Sequence, residues 1–303
     1  MSTVYNAALQ RGATKKRAAD DGEDRPLVQR NKQRVLVLPS RGVTTRMRHL
    51  VNDVEVLLPH AKKDSKVDSK SDMSMLNELA ELNNCNNCMY FEARRHEDLY
   101  LWLSKTPNGP SAKMQVQNIH TMDELKMTGN CLKGSRHILS FDAGFDAAPH
   151  WRVMKELLTQ MFAVPRTARR AKPFIDHILT FSILDNKVWF RNYQILEKDP
   201  GATAASVAKG EGKTYGKGSQ EPTLVEIGPR MVLTPIRIFE GSFGGPTLFD
   251  NPEYISPTAL RQAMRRKKGQ EYTNRVEQSE NLRVKRDKYK GREGELSRSK
   301  VFS

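Results

Sequence analysis

The chain has 303 residues, 38% hydrophobic and 28% charged, with 50 Lys and Arg against 35 Asp and Glu. A formal net charge of +15 favours a polyanionic partner, nucleic acid before membrane. No run of ~18 apolar residues occurs, which excludes a membrane-spanning helix; three cysteines exclude a disulfide scaffold and point to a reducing compartment.

Residues 1–33 hold 7 basic and 4 acidic residues and few large apolar ones, so this flank is expected to be a disordered tail. Its acids fit neither a secretory signal nor a mitochondrial presequence. Lys15-Lys16-Arg17 reads as a nuclear-import element or as a solvated charge run. Val35–Leu38 is a short apolar run, a buried strand ended by Pro39-Ser40-Arg41-Gly42. Met47, Leu50, Val51, Val54, Leu57 and Leu58 then follow helical spacing up to Pro59. Asp72 is the expected N-cap of a second helix carrying Met75, Leu76, Leu79 and Leu82. Strands are predicted at Cys88–Ala93, Leu99–Ser104 and, after the turn Thr106–Pro110, Lys113–Ile119.

A similar plan follows. Ile138–Phe141 reads as a strand, and Pro149 opens a helix with Trp151, Met154, Leu157, Leu158, Met161 and Phe162 on one face. His177–Leu184 and Lys187–Leu196 flank the hairpin turn Asp185-Asn186. Thr223–Ile227 and Met231–Glu240 are further extended segments, the second edge-lying or bulged at Pro235. Strand, helix and a group of strands thus occur twice, at about 34–120 and 137–245, which predicts an α/β fold of two similar halves in one unit. Residues 199–222, rich in Gly, Ala, Lys and Ser, are expected to be a flexible insert. Residues 256–303 carry 14 basic and 6 acidic residues; a helix starting at Ser256-Pro257 is too polar for the core and is expected to lie on a partner.

Few residues point to catalysis. Gly210-Glu211-Gly212-Lys213-Thr214 is like the end of a phosphate-binding loop, but Val207 stands where that motif needs glycine and a strand follows instead of a helix. Cys85 and Cys88 have metal-ligand spacing without a second matched pair; the competing reading puts Cys88 in a buried strand and Cys85 in a turn. His96-Glu97-Asp98 and Asp176-His177 are the nearest acid–base clusters, yet neighbours on a strand face opposite ways. No enzyme reaction, metal or cofactor is expected.

Basic clusters are the better candidates. Gly42 permits a tight turn, and the following helix start sets backbone donors beside Arg41, Arg46 and Arg48, a geometry that suits phosphate; the alternative is pairing with acids of neighbouring elements. Lys62 and Lys63, with Lys66, form another cluster, and Arg166, Arg169, Arg170 and Lys172 a third, in a loop between helix and strand. The halves' basic loops line one surface if the halves are pseudo-symmetric, or form a solvated basic face. Aromatic residues are sparse near them, which favours shape and backbone recognition of folded RNA over base stacking. Arg265, Arg266, Lys267 and Lys268 start the densest basic segment, whose roles stay open between RNA contact, nuclear import and spacer.

Taken in order, these segments resemble the Brix-domain family. Ser40-Arg41-Gly42, then His49-Leu50-Val51-Asn52-Asp53 through Leu57-Leu58-Pro59-His60-Ala61-Lys62-Lys63, is similar to the domain's opening. Leu224-Val225-Glu226-Ile227-Gly228-Pro229-Arg230 and Phe239-Glu240-Gly241-Ser242-Phe243-Gly244-Gly245 are similar to its close. The resemblance covers about 34–255 and implies two α/β halves like the anticodon-binding domain of class II aminoacyl-tRNA synthetases. It implies a nuclear, nucleolar, non-enzymatic factor that binds precursor large-subunit rRNA. It also implies partners among other large-subunit assembly factors, one mostly helical and of the nuclear-antigen-binding-protein type, and ribosomal proteins of the particle. Arg230 falls in the closing motif, as a structural turn or an RNA contact. The alternative function is a protein-interaction scaffold whose basic tails give only non-specific RNA affinity.

Overall fold

Strand β1 (Val35–Pro39) is apolar throughout because it has no solvent face: Val35 to Leu38 are all 0% exposed. It runs parallel to both β2 (Ala61–Lys63) and β3 (Asn87–Arg94), the setting in which strands read as unbroken apolar runs. The computed structural model describes residues 33–68, 72–125, 130–166, 168, 170–197, 222–290, 294 and 296–302. The tail with Lys15-Lys16-Arg17, Arg169, Arg292 and all but the last residue of the insert, Gly210–Thr214 included, lie outside the described residues.

The first half continues through helix α1 (Thr45–Leu57), helix α2 (Met75–Leu82), β3, β4 (Asp98–Lys105) and β5 (Ser111–His120). A short turn of helix, α3 (Met122–Leu125), precedes the second half. That half has β6 (Arg136–Phe141), α4 (Pro149–Phe162), β7 (Ile175–Leu184), β8 (Lys187–Glu197), β9 (Pro222–Glu226) and β10 (Arg230–Phe239). Strand β11 (Thr247–Asp250), the 33-residue helix α5 (Pro257–Tyr289) and a last turn, α6 (Arg298–Val301), follow. No described helix is long and apolar enough to cross a membrane.

One sheet joins everything, in the order β2-β1-β3-β4-β5-β10-β8-β7-β6, with β11 on β10 and β9 on β8. The halves repeat each other: β1 and β3 are parallel like β6 and β7, and two antiparallel steps follow in each. They meet where β5 pairs antiparallel with β10, so an approximate twofold relates them. Among the described residues the first half adds β2 and α2 to this shared plan, and the second half adds β9.

Helices α1 and α4 share one side of this sheet. Met47, Leu50, Val51, Val54 and Leu57 of α1 and Trp151, Met154, Leu157, Leu158, Met161 and Phe162 of α4 lie in a single core with residues of both halves. Phe181 stacks on Phe141 at 4.9 Å and packs against Phe162 at 5.4 Å, which closes the second half. The sheet curls around α4. His60, before β2, and His137, in β6, belong to opposite edges, yet both meet the final carbonyls of α4.

One local expectation is corrected, and one pair of alternatives is decided. The N-cap of α2 is Ser74, and Asp72 instead accepts from the Ser74 amide at 3.3 Å. This two-turn helix buries Leu76 and Ala80, leaving Met75 and Leu82 44% and 78% exposed because both fall on one flank, about 100° or more round from that ridge. Pro235 lies in an interior strand and is accommodated by a register shift between Pro235 and Arg237, hence a bulge and not an edge.

Candidate nucleic-acid interface

At the first-half cluster the chain leaves β1 through Ser40, whose hydroxyl accepts from the Ala93 amide at 2.7 Å. Gly42 follows with φ +92°, and its carbonyl is met by His96 Nδ1 at 2.8 Å. Arg41 and Arg48 are exposed and carry no ion pair among the described residues. Arg46 is different: its guanidinium grips Glu124 of α3 at 2.9 and 3.0 Å. His49 pairs with Asp123 at 3.2 Å, so acids of α3 partly neutralise this helix start. Two of the three expected guanidinium groups are therefore available for phosphate, and the third follows the alternative reading.

Lys62 and Lys63 serve mainly as structural pins. Lys62 Nζ donates to the Asn83 carbonyl at 2.6 Å, at the C-terminus of α2. Lys63 Nζ donates to Asn52 at 2.6 Å and pairs with Glu55 at 3.3 Å.

The second-half loop is built otherwise. It leaves the C-terminus of α4 and is fastened by Lys172 N–H to the Gly134 carbonyl (2.7 Å) and by Arg136 Nη2 to the Arg166 carbonyl (3.1 Å). Arg166, Arg170 and Lys172 are exposed, and their side chains have no acid partner among the described residues. Cations at a helix C-terminus are favoured by the helix dipole. Beneath them His60 Nε2 meets the Met161 carbonyl at 3.0 Å and His137 Nε2 the Phe162 carbonyl at 2.5 Å. Burial drives both imidazoles down to about 4, so they are neutral donors to these carbonyls near pH 7. The Nδ1 atoms of both are buried without a partner among the described residues. These contacts bring the α1–β2 junction, two residues before Lys62, up to the second-half loop; Arg41 and Arg48 sit at the other end of α1.

Arg230 opens β10, one-third exposed, and pairs with Glu226 at 3.7 Å. Arg265, Arg266, Lys267 and Lys268 are exposed on α5, which has no buried residue and is fastened at its root by Arg261 to Asp98 (2.5 Å) and Glu97 (3.1 Å).

The sequence analysis missed two cation–aromatic groups. Arg191 lies 5.5 Å from the Trp189 ring centre and 3.4 Å from the Tyr193 hydroxyl, on the outer face of the second half. Glu92, 2% exposed, accepts from Arg94 (2.6 Å), Trp102 (2.9 Å) and Lys113 (3.4 Å), and Lys113 lies 4.6 Å from the Trp102 ring centre. The alternation Val188-Trp189-Phe190-Arg191-Asn192-Tyr193 was the available signal for the first group.

Asp176 and His177, expected to face apart, hydrogen-bond at 2.6 Å where the β6–β7 register shifts. Ser135 joins them, 2.5 Å from Asp176 and 3.2 Å from His177 Nδ1. In a nucleophilic triad serine and carboxylate occupy opposite imidazole nitrogens. Here both sit on Nδ1, and Nε2 is buried without a partner among the described residues, so the group lacks the triad arrangement and fastens the loop. Cys88 lies in β3 and Cys85 in the turn before it, both buried, with their thiols pushed up by burial. No group of three or more potential metal ligands occurs among the described residues.

The Brix domain profile matches residues 40–237. Ribosome biogenesis protein BRX1 of Saccharomyces cerevisiae is 47% identical over 286 residues, 94% of each chain. Its Schizosaccharomyces pombe counterpart is 51% identical over 289 residues, 91% of this chain and 92% of that one. The Homo sapiens Ribosome biogenesis protein BRX1 homolog is 52% identical over 236 residues, 78% of this chain and 61% of the human one. With its two-halved sheet and a match over about two-thirds of its length, the chain belongs to the Brix-domain family.

Proposed function

We propose that this protein is a non-enzymatic factor of ribosome biogenesis that acts in the nucleolus and binds precursor rRNA of the large subunit. Residues 34–255 would be the Brix domain and 1–33 and 256–303 its tails, each half being akin to the anticodon-binding domain of class II aminoacyl-tRNA synthetases. The observation that carries the RNA reading is the loop at the α4 C-terminus, where Arg166, Arg170 and Lys172 project to solvent without acid partners. Relatives named for ribosome biogenesis make rRNA the polyanion to test. Replacing Arg166, Arg170 and Lys172 by Glu should lower affinity for large-subunit precursor rRNA and flatten its logarithmic salt dependence by about two to three. An unchanged slope in the folded variant would refute the site.

The second half also supports docking of a protein partner, the helical assembly factor that the family resemblance implies. In the first half α2 covers Leu36, Leu38, Cys88 and Tyr90 to 1% exposure or less. The matching face of the second half bears Ile138, 46% exposed, with half-buried Ile178, Trp189 and Tyr193, and no described helix lies over it. Replacing Ile138 and Ile178 by Glu should release the partner and leave RNA affinity intact; retention of the partner would reject this surface.

A further inference from the structure

Helix α5 carries ten basic and four acidic residues and buries none of them. Along the sequence its charges look mixed, and the run Arg265–Lys268 looks like one patch. Helix geometry sorts them differently, because successive residues turn by ~100°. Arg261, Arg265, Lys268, Arg275, Arg283 and Arg286 fall within an arc of about 80°, joined there only by Pro257, Tyr272 and Ser279. Glu277 lies on the opposite side, Glu280 and Asp287 fall about 60° and 40° beyond one edge of the arc, and Glu271 about 40° beyond the other. Arg266, Lys267, Lys285 and Lys288 point elsewhere around the helix. The one-sided basic stripe is about 38 Å long at 1.5 Å per residue.

The stripe has a fixed aspect. Arg261 is its first member, and the contacts of Arg261 with Asp98 and Glu97 turn that face toward the β3–β4 hairpin. The same hairpin presents exposed Arg95, and its His96 holds the Gly42 carbonyl beside Arg41.

We propose that this face of α5 is a phosphate-tracking surface that lays an RNA backbone in the angle between the helix and the hairpin end of the sheet. Charge complementarity selects the occupant: a row of Arg and Lys without interleaved acids suits a chain of phosphates. One tyrosine on the face gives no stacking platform, so contact is to backbone and shape, not bases. The inference rests on the RNA-binding reading and adds which cations of the C-terminal segment do the binding.

Two charge-matched variants of the full chain test it. One replaces Arg265, Lys268, Arg275 and Arg286 by Gln, the other Arg266, Lys267, Lys285 and Lys288. Gln is a helix former comparable to Arg and Lys, and circular dichroism checks that helicity is kept. The probe is a fluorescein-labelled RNA hairpin long enough to span the stripe, titrated at several salt concentrations. The stripe variant should lose at least tenfold in affinity with a salt slope smaller by about three, while the other changes no more than about threefold. Equal losses in both variants overturn the stripe and leave RNA binding by net charge alone. Failure of the unmodified protein to bind the hairpin overturns the RNA reading itself.

Discussion

Lowering the pH should loosen this protein through two histidines before its carboxylates matter. His60 and His137, 8% and 9% exposed, are held near 4 in the folded state by burial, against an ordinary value of 6.5. Between those values the unfolded chain binds more protons than the folded one, so stability falls as pH falls through this window; below about 4 no further loss arises from them. At pH 5 the cost is roughly 2 kcal/mol per histidine, about 4 for the pair. The perturbation is His60→Gln with His137→Gln, because a glutamine amide occupies the place of Nε2 and still donates to the Met161 and Phe162 carbonyls. At pH 7.5 the double variant should lose on the order of 2 kcal/mol from imperfect fit. Between pH 7.5 and 5 its stability should then fall about 4 kcal/mol less than that of the unmodified protein. Urea unfolding followed by fluorescence of Trp102, Trp151 and Trp189 measures both, and equal falls in the two proteins would refute the reasoning.

Glu92→Gln should cost about 3 kcal/mol in urea unfolding, since the mostly buried Lys113, its side chain 15% exposed, is left without its counter-charge, and adding Lys113→Met should restore at least half. Burial alone would raise the Glu92 carboxyl, but Trp102, Lys113 and Arg94 hold it below the ordinary carboxylate range. Its contribution is therefore complete at neutral pH and lost only as pH drops through that depressed value. Gly109→Ala meets both a φ of +89° and a Cβ position 2.2 Å from the Glu240 carbonyl. A loss above ~2 kcal/mol is expected, with altered Trp102 emission as the 240–245 loop shifts. Gly269→Ala has open space around it and should slow amide exchange in the middle of α5 about fivefold, corresponding to ~1 kcal/mol of helix propensity, without moving the urea midpoint of the domain.

The repeated element order was legible because each half writes its helix in one apolar face and its strands in short apolar runs bounded by turns. Trp151 to Phe162 give that face without interruption, and all six residues are buried. Pairing across the halves was not legible: β5 and β10 stand more than a hundred residues apart, and nothing local encodes which edges meet. The basic clusters were visible as types of residue, but their availability was not. Arg46 and Arg166 look alike in sequence; only the position of Glu124 distinguishes a paired guanidinium from a free one. Arg191 went unnoticed because a single cation between two aromatics forms no run.

The antiparallel seam between β5 and β10 also dictates an order of events during synthesis. β5 ends at His120 and β10 at Phe239, so at 5–20 residues per second the first half waits about 6–24 s for its neighbouring strand. Throughout that interval the outer edge of β5 is unpaired, and Phe243, which packs against Trp102, has not been made. The nascent first half therefore spends its early life with an open strand edge and a bare aromatic face, the features by which unfinished chains stick to one another. A chain stopped before residue 230 would keep that edge permanently, which makes the seam, and not either half, the last condition for a soluble product.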